Sequence, residues 1–392
     1  MSDHSVYVRK FTLKPHPNAD KLSLATPGST SWQCVIRTDE FKGVTLAAYI
    51  PIETCVPPVK EFEFLAARKY RVRTIKLRGE MSQGLLIPAK PNWKEGQDVT
   101  EELGVKRYEK PEDGKEFHVY QKTFKQKLKK YLRQKLRLGF AEPNWFQDHT
   151  DIENFKNYPY VFSDKDNVVM SEKADGTSWR VAWNGKFESS SNRWYVRLLQ
   201  RFLTRLWGDR FIVGSHYTRK DPNSGTVIYS LMAKFYDLEA KLKKIFKGDR
   251  VIVFGEIYGL NVPNGCKKLW YGEKSPRAAL FDIKLNDKWL DWSDIEKYGE
   301  LLGIPAAPKL YEGPYSIDKI HELTSGPTVL GKGLHIREGI VIRSQKNEVY
   351  HNLPGHRKWL KSVSAEYHLL KDGNEEQKER YEENKELLGV KK

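Results

Sequence analysis

The spacing of hydrophobic and polar positions changes along this chain, and the change marks its organisation. In residues 1–112 apolar positions come in short runs separated by turns. Val6-Tyr7-Val8-Arg9-Lys10-Phe11, Trp32-Gln33-Cys34-Val35-Ile36 and Val44-Thr45-Leu46-Ala47-Ala48-Tyr49-Ile50 are β-rich segments. Tyr70-Arg71-Val72-Arg73-Thr74-Ile75-Lys76-Leu77 alternates more cleanly and puts basic residues on one face. This pattern predicts a small antiparallel β-barrel, and a five-stranded OB-fold suits the length. Arg71, Arg73, Lys76 and Arg78 would lie on its surface, either as a solvated strand face or against nucleic acid.

Residues 113–150 read as a linker that carries a helix. From Gln121 to Arg137 there are eight basic residues and no acid, while Phe124, Leu128, Leu132 and Leu136 recur every four residues. That spacing predicts an amphipathic helix with one apolar seam, open to packing on a domain, to phosphates or to a membrane. Residues 151–370 mix strands and helices and form a second domain, so the class is α+β. Within it Trp194 to Trp207 carries Arg197, Arg201 and Arg205 at helical spacing. Residues 371–392 are an almost wholly charged tail, expected to be exposed or frayed.

With 392 residues, of which 39% are hydrophobic, the chain has material for two cores. No apolar run approaches the roughly 18 residues of a membrane span, and the N-terminus lacks a signal-peptide pattern. Cys34, Cys55 and Cys266 lie far apart, which argues against zinc and structural disulfides and makes a reducing cytoplasm the natural compartment. The net charge of +16 suits a polyanionic partner, with an anionic membrane surface as the competing reading.

Candidate chemistry begins at Met170-Ser171-Glu172-Lys173-Ala174-Asp175-Gly176-Thr177-Ser178. A lysine amine can attack phosphorus if it is neutral at that moment, and a glycine lets backbone approach a nucleotide closely. Taken alone, Lys-x-Asp-Gly is a common solvated turn. Three later strands each carry an acid: Val251 to Gly259 with Glu256, Arg277 to Ile283 with Asp282, and Arg337 to Arg343 with Glu338. Singly, each reads as a paired structural carboxylate. Together with Lys173 and the lysines of His356 to Ser364, they read as a nucleotide-and-metal site.

In this order the stretches resemble the motifs of the covalent nucleotidyltransferases, namely ATP-dependent ligases and mRNA-capping guanylyltransferases. Lys-Ala-Asp-Gly-Thr at 173–177 looks like motif I, Phe-Gly-Glu-Ile-Tyr-Gly at 254–259 like motif III, and Leu-Phe-Asp-Ile at 280–283 like motif IIIa. Glu-Gly-Ile-Val-Ile-Arg at 338–343 looks like motif IV, and Lys-Trp-Leu-Lys-Ser at 358–362 like motif V. The stretches around His16 to Ala25, Tyr49-Ile50-Pro51 and Lys76 to Pro88 resemble a group of RNA ligases with an OB-fold domain ahead of the catalytic one. The resemblance implies an N-terminal OB-fold β-barrel followed by a nucleotidyltransferase domain, an ATP-grasp-like antiparallel-sheet unit.

It further implies an ATP-dependent RNA ligase, using ATP with Mg²⁺ or Mn²⁺ and acting as a monomer. The substrate would be RNA with 3′-OH and 5′-phosphate ends, nicked duplex included. Lys173 would take AMP, and Glu256 would hold the ribose hydroxyls as well as serving the metal. Phe281 would stack on adenine opposite Ile340, while Glu172 and Gly176 would border the nucleotide. Asp175 and Glu338 would organise the metal's water shell. Lys361, with Lys358 or Arg357 nearby, would grip the α-phosphate. His216 or Arg219, in a candidate motif Ia, would face phosphates or the RNA end. Motif V lysines are normally two apart, whereas Lys358 and Lys361 are three apart, and an arginine expected near Asn154 is missing. The rivals are a DNA ligase or capping-type enzyme, and a non-catalytic nucleic-acid-binding relative.

Overall fold

The computed structural model describes residues 4–108, 145–186, 210–259 and 275–372, together with 194, 195, 198, 262 and 271–273. The basic helix expected over 121–137, most of the stretch from Trp194 to Trp207, Cys266 and the tail beyond 372 lie outside these residues. The N-terminal strands are β1 (Tyr7–Arg9), β2 (Phe11–Pro15), β3 (Leu22–Pro27), β4 (Cys34–Arg37), β5 (Ala47–Ile50) and β6 (Thr54–Cys55). They continue with β7 (Arg71–Val72), β8 (Thr74–Leu77), β9 (Glu80–Gln83), β10 (Leu85–Pro88) and β11 (Lys106–Arg107).

All pair antiparallel, in the orders β1-β5-β10, β2-β3-β4, β11-β6-β7 and β8-β9. Alternation builds the core: every second residue of β3 is buried, and a 3₁₀ helix at Lys60–Arg68 adds Phe62 and Leu65. The run from Tyr70 to Leu77 is not one strand. It breaks at Arg73, and Arg71 turns inward, 2.7 Å from Glu53 and stacked 3.8 Å from the centre of the Tyr108 ring. Its expected basic face therefore shrinks to the exposed Lys76 and Arg78.

The second part contains two antiparallel sheets. One has the order β19-β12-β20-β21, from β12 (Asn167–Lys173), β19 (Lys309–Pro314), β20 (Gly339–Ser344) and β21 (Trp359–Val363). The other has the order β15-β14-β13-β16-β17-β18, from β13 (Thr177–Asn184), β14 (Phe211–Ser215), β15 (Arg219–Lys220), β16 (Arg250–Tyr258), β17 (Arg277–Leu285) and β18 (Lys288–Trp289). Helices α1 (Ile228–Phe235), α2 (Leu238–Ile245) and α3 (Trp292–Leu302) cover one face of the six-stranded sheet. In α3, Trp292, Ile295 and Leu302 recur at helical spacing and meet Leu280 and Ile283, and Gly303 ends the helix in the left-handed region at φ 73°. Helix α4 (Ile317–Thr324) lies beside the smaller sheet, whereas α5 (Ala365–Asp372) packs against β8 of the N-terminal part. Ser316 caps α4 by accepting from the Lys319 N–H.

The two parts meet where Trp32 Nε1 donates to Asn157 Oδ1 at 2.6 Å and the Ser31 N–H to the Lys156 carbonyl at 2.9 Å. Among the described residues no helix is long and apolar enough to cross a membrane. The chain passes from the smaller sheet to the larger through Ala174-Asp175-Gly176. A Cβ at Gly176 would lie 2.0 Å from the Ile257 carbonyl oxygen, so backbone meets backbone there. Gly176→Ala should accordingly destabilise the protein by about 1–3 kcal/mol, the usual range for overpacking. Urea unfolding followed by tryptophan fluorescence measures this, and an unshifted midpoint would contradict the close approach.

Candidate functional site

A cavity of about 230 Å³ lies between the two sheets. β12, β20 and β21 contribute Lys173, Val341 and Lys361 to its wall, and β13, β16 and β17 contribute Ser178, Glu256 and Phe281. Register explains the first set. Ser171 pairs with Val341, and Val341 with Lys361, so these side chains share one face with Lys173 two residues along. Lys173 Nζ donates to Glu338 Oε2 at 2.7 Å.

The charges here are unbalanced. Glu338, Glu256 and Asp175 all act on the Lys173 amine, and the second cation is Lys361. Burial pushes the Lys173 amine down, but the carboxylates outweigh it and hold it above the ordinary lysine value. Lys361 is pushed down, first by burial and then by Lys173. Glu256 is pushed up to about 8 by burial, and the Glu338 and Asp175 carboxylates raise it further while Lys173 opposes them.

An excess of carboxylate oxygen suits a hard divalent cation. Among the described residues no group of three His, Cys, Asp or Glu side chains is placed to hold a metal. The fit is therefore to an ion bound by one or two of Asp175, Glu256 and Glu338 and completed by phosphate oxygens and water, the usual pattern for Mg²⁺. Asp175 is itself fixed by its backbone N–H, which donates to the Tyr271 hydroxyl at 2.7 Å.

The other end of the cavity is aromatic and depends on a β-bulge. Phe254 of β16 pairs with Asp282 and Gly255 with Leu280, which leaves Phe281 unpaired. The extra residue aims Phe281 into the cavity and shifts the alternation that follows. Ala278, Leu280 and Ile283 face the helices, whereas Asp282 turns to the cavity side and meets His149 Nε2 at 2.9 Å. Asp282 is fully buried, bonded to Arg357 and 3.7 Å from Arg343. It is thus a neutralised structural carboxylate rather than part of the expected acid cluster.

Other expected residues are placed differently. Glu172 borders the cavity, but it lies between Ser171 and Lys173 and its carboxylate points away. Its carboxylate accepts from the Thr328 hydroxyl and, at 2.7 Å, from the Val329 N–H. Ile340 is fully buried with Met170 and Leu360 on the far face, and Val341 takes the cavity position. Lys358 is an odd number of residues from Lys361 and lies outside the cavity wall, 2.6 Å from Asp166 and 3.4 Å from Glu348. Arg357 is sandwiched 4.3 Å from the Trp289 ring and 4.0 Å from the Trp359 ring. His216 reaches the cavity, with Nε2 3.7 Å from Asp151, while Arg219 sits on the edge strand β15 outside the wall.

The expectations from sequence also overlooked a wall. His149, Thr150, Asp151 and Ile152 line the cavity, and the Lys361 N–H donates to the Glu153 carbonyl at 2.8 Å. Residues 145–149 pack on the large sheet rather than standing free. Phe146 enters its core, and Arg180 donates to the Phe146 carbonyl and pairs with Asp148, both at 2.7 Å. The dense aromatic and acidic run Trp145 to Asp151 was the available signal.

A family model described as RNA ligase matches residues 166–363, and one described as an OB-fold domain matches residues 6–89. No curated protein sequence matches the chain. Solved structures similar to it include a variant of the Naegleria gruberi RNA ligase with ATP and Mn, at TM-score 0.67 and 20% identity, covering 94% of this chain and 99% of that one. The same ligase with PPi aligns at TM-score 0.66 and 19% identity, over 94% of this chain and 98% of that one. A variant with AMP and Mn aligns at 0.67 and 19%, over 94% and 100%. At these identities the likeness is one of fold: an N-terminal OB-fold domain followed by an antiparallel-sheet domain.

The raised Glu256 value has a consequence for stability. Its protonated form contributes stability below the ordinary glutamate range, and that contribution is lost as pH rises through about 8. Glu256→Gln, in metal-free buffer, should lose less stability than the wild type between about pH 5 and about pH 9. Parallel unfolding-midpoint curves for the two proteins would contradict the charge crowding.

Proposed function

The chain belongs to the RNA ligase family, and from that premise we propose that it joins a 3′-OH and a 5′-phosphate end of RNA at the expense of ATP. The observation that carries this reading is the Lys173 amine, held 2.7 Å from Glu338 in a cavity that Glu256, Lys361 and Phe281 also line. Lys173 Nζ would attack the α-phosphorus of ATP, forming the N–P bond as the bond to pyrophosphate breaks. The RNA 5′-phosphate would then take the adenylate from Lys173. The 3′-OH would attack that phosphorus, and AMP would leave.

In this reading Lys361 faces the α-phosphate and stabilises charge as it develops. Glu256 holds the ribose hydroxyls, and Phe281 stacks on the base with Val341 across from it. Asp175 and Glu338 would hold Mg²⁺ or Mn²⁺, the cation's role being to take up the carboxylate charge that keeps Lys173 protonated. That division suits what the amine needs: Glu338 fixes its position at 2.7 Å, and it must lose its proton to attack. The OB-fold domain, residues 1–112, and the linker of 113–150 would hold the broken strand ahead of a catalytic domain at 151–370.

Incubation with ATP labelled on its α-phosphate, with Mg²⁺ or Mn²⁺, tests the proposal on a denaturing gel. The wild type should acquire covalent label and discharge it on 5′-phosphorylated nicked RNA, while Lys173→Ala takes none. Lys361→Ala should lose about 10²–10³-fold in labelling rate, as for removal of one preorganised charge donor. Lys358→Ala should stay near wild type, because that amine is held by Asp166 and Glu348. Wild-type protein free of bound AMP that takes no label would overturn the reading.

A further inference from the structure

His149 has no role in the chemistry above, yet it is one of the most constrained side chains at the site. It is buried, lines the cavity, and sits in a box of aromatic rings. Ring centres of Trp359, Phe254, Phe281 and Trp289 lie 4.8, 5.0, 5.0 and 5.5 Å away. The residues just before it are anchored by Arg180 and Phe146, so the imidazole is delivered in one orientation.

Its protonation pattern follows from its partner. Asp282 accepts from Arg357 and faces Arg343, and these cations hold its carboxyl far below the usual range despite burial. An ionised carboxylate offers only acceptors, so the nitrogen facing it, Nε2 at 2.9 Å, carries the hydrogen. Burial, the largest influence on the ring, pushes it toward the neutral form. Nδ1 therefore keeps its lone pair. It has no hydrogen-bond partner among the described residues. The ring's Nδ1 is thus a fixed acceptor on a mostly hydrocarbon wall beside Phe281. Arg343, also in the wall, already donates to the main-chain carbonyls of Phe281 and Leu290 at 3.3 and 3.1 Å.

We propose that His149 determines the choice of purine: its Nδ1 accepts a hydrogen bond from the 6-amino group of adenine and opposes the 6-oxo group of guanine or hypoxanthine. The inference rests on the reading that this cavity takes ATP with its base against Phe281. A buried acceptor made for an N–H is left unpaired by a base that lacks one, which is how such sites reject close analogues.

The test compares labelling efficiency, kcat/KM for covalent nucleotide transfer, between ATP and purine riboside triphosphate, which lacks the amino group. Wild-type protein should prefer ATP by about tenfold or more, and His149→Phe, which refills the box without an acceptor, should bring the ratio to within about threefold through a higher KM for ATP. Inosine triphosphate should gain on ATP in the same variant. Any general loss of folding or activity lowers both rates and cancels in the ratio, and His149→Leu repeats the measurement with a smaller side chain. An unchanged ratio in the variants, or no preference in the wild type, overturns the inference while leaving the ligase reading intact. Absence of label from every nucleotide on the wild type overturns the ligase reading and this inference with it.

Discussion

The shape of the site depends on one buried charge. Asp282 has no exposure at all, and a carboxylate there is tolerable only because Arg357, Arg343 and His149 surround it. The partners come from three separate stretches of the chain. Arg357 leads into β21 and Lys361, Arg343 lies on β20 beyond Val341, and His149 ends the segment that packs on the large sheet. Removing Asp282 would leave two guanidinium groups buried near each other without compensation. The network holds the strands that carry the lysines against the strand that carries Phe281.

The opposite end of the cavity has the contrary character. There the carboxylates outnumber the amines: they hold the Lys173 amine above its ordinary value against burial, and burial first, then the neighbouring carboxylates, pushes the Glu256 carboxyl up to about 8. One end is neutralised and rigid, suited to a flat base. The other is rich in ionisable groups, suited to phosphates accompanied by a cation. The separation lets one cavity bind an uncharged ring and a polyanion without either environment spoiling the other.

Local pattern carried much of the organisation. The strand before Lys173, the apolar strands bearing Glu256 and Glu338, and the antiparallel N-terminal strands could all be read from runs of β-branched and aromatic residues. Expectations carried over from the motif resemblance failed wherever strand parity was not respected. Lys358 and Ile340 were expected at the cavity from that resemblance, but each is an odd step from the residue that reaches it. Glu172, next to Lys173, points away for the same reason. Asp282 is the reverse case, because the bulge at Phe281 moves it onto a face that alternation denies it.

The sequence by itself determined which chemistry is available: a lysine before Asp-Gly, three acids borne on apolar strands, and later lysines. Those are properties of residue type and local period, and they survive without knowledge of distant neighbours. Only the tertiary structure decided which acids face the cavity and which are paired with cations within the walls, since that depends on strand register, one bulge and long-range partners. It also decided that Trp145 to Glu153 forms a wall, because nothing local links His149 to an aspartate 133 residues away. Burial and pairing are properties of the packed chain, and in this protein they separate the groups that hold the walls together from those that face the cavity.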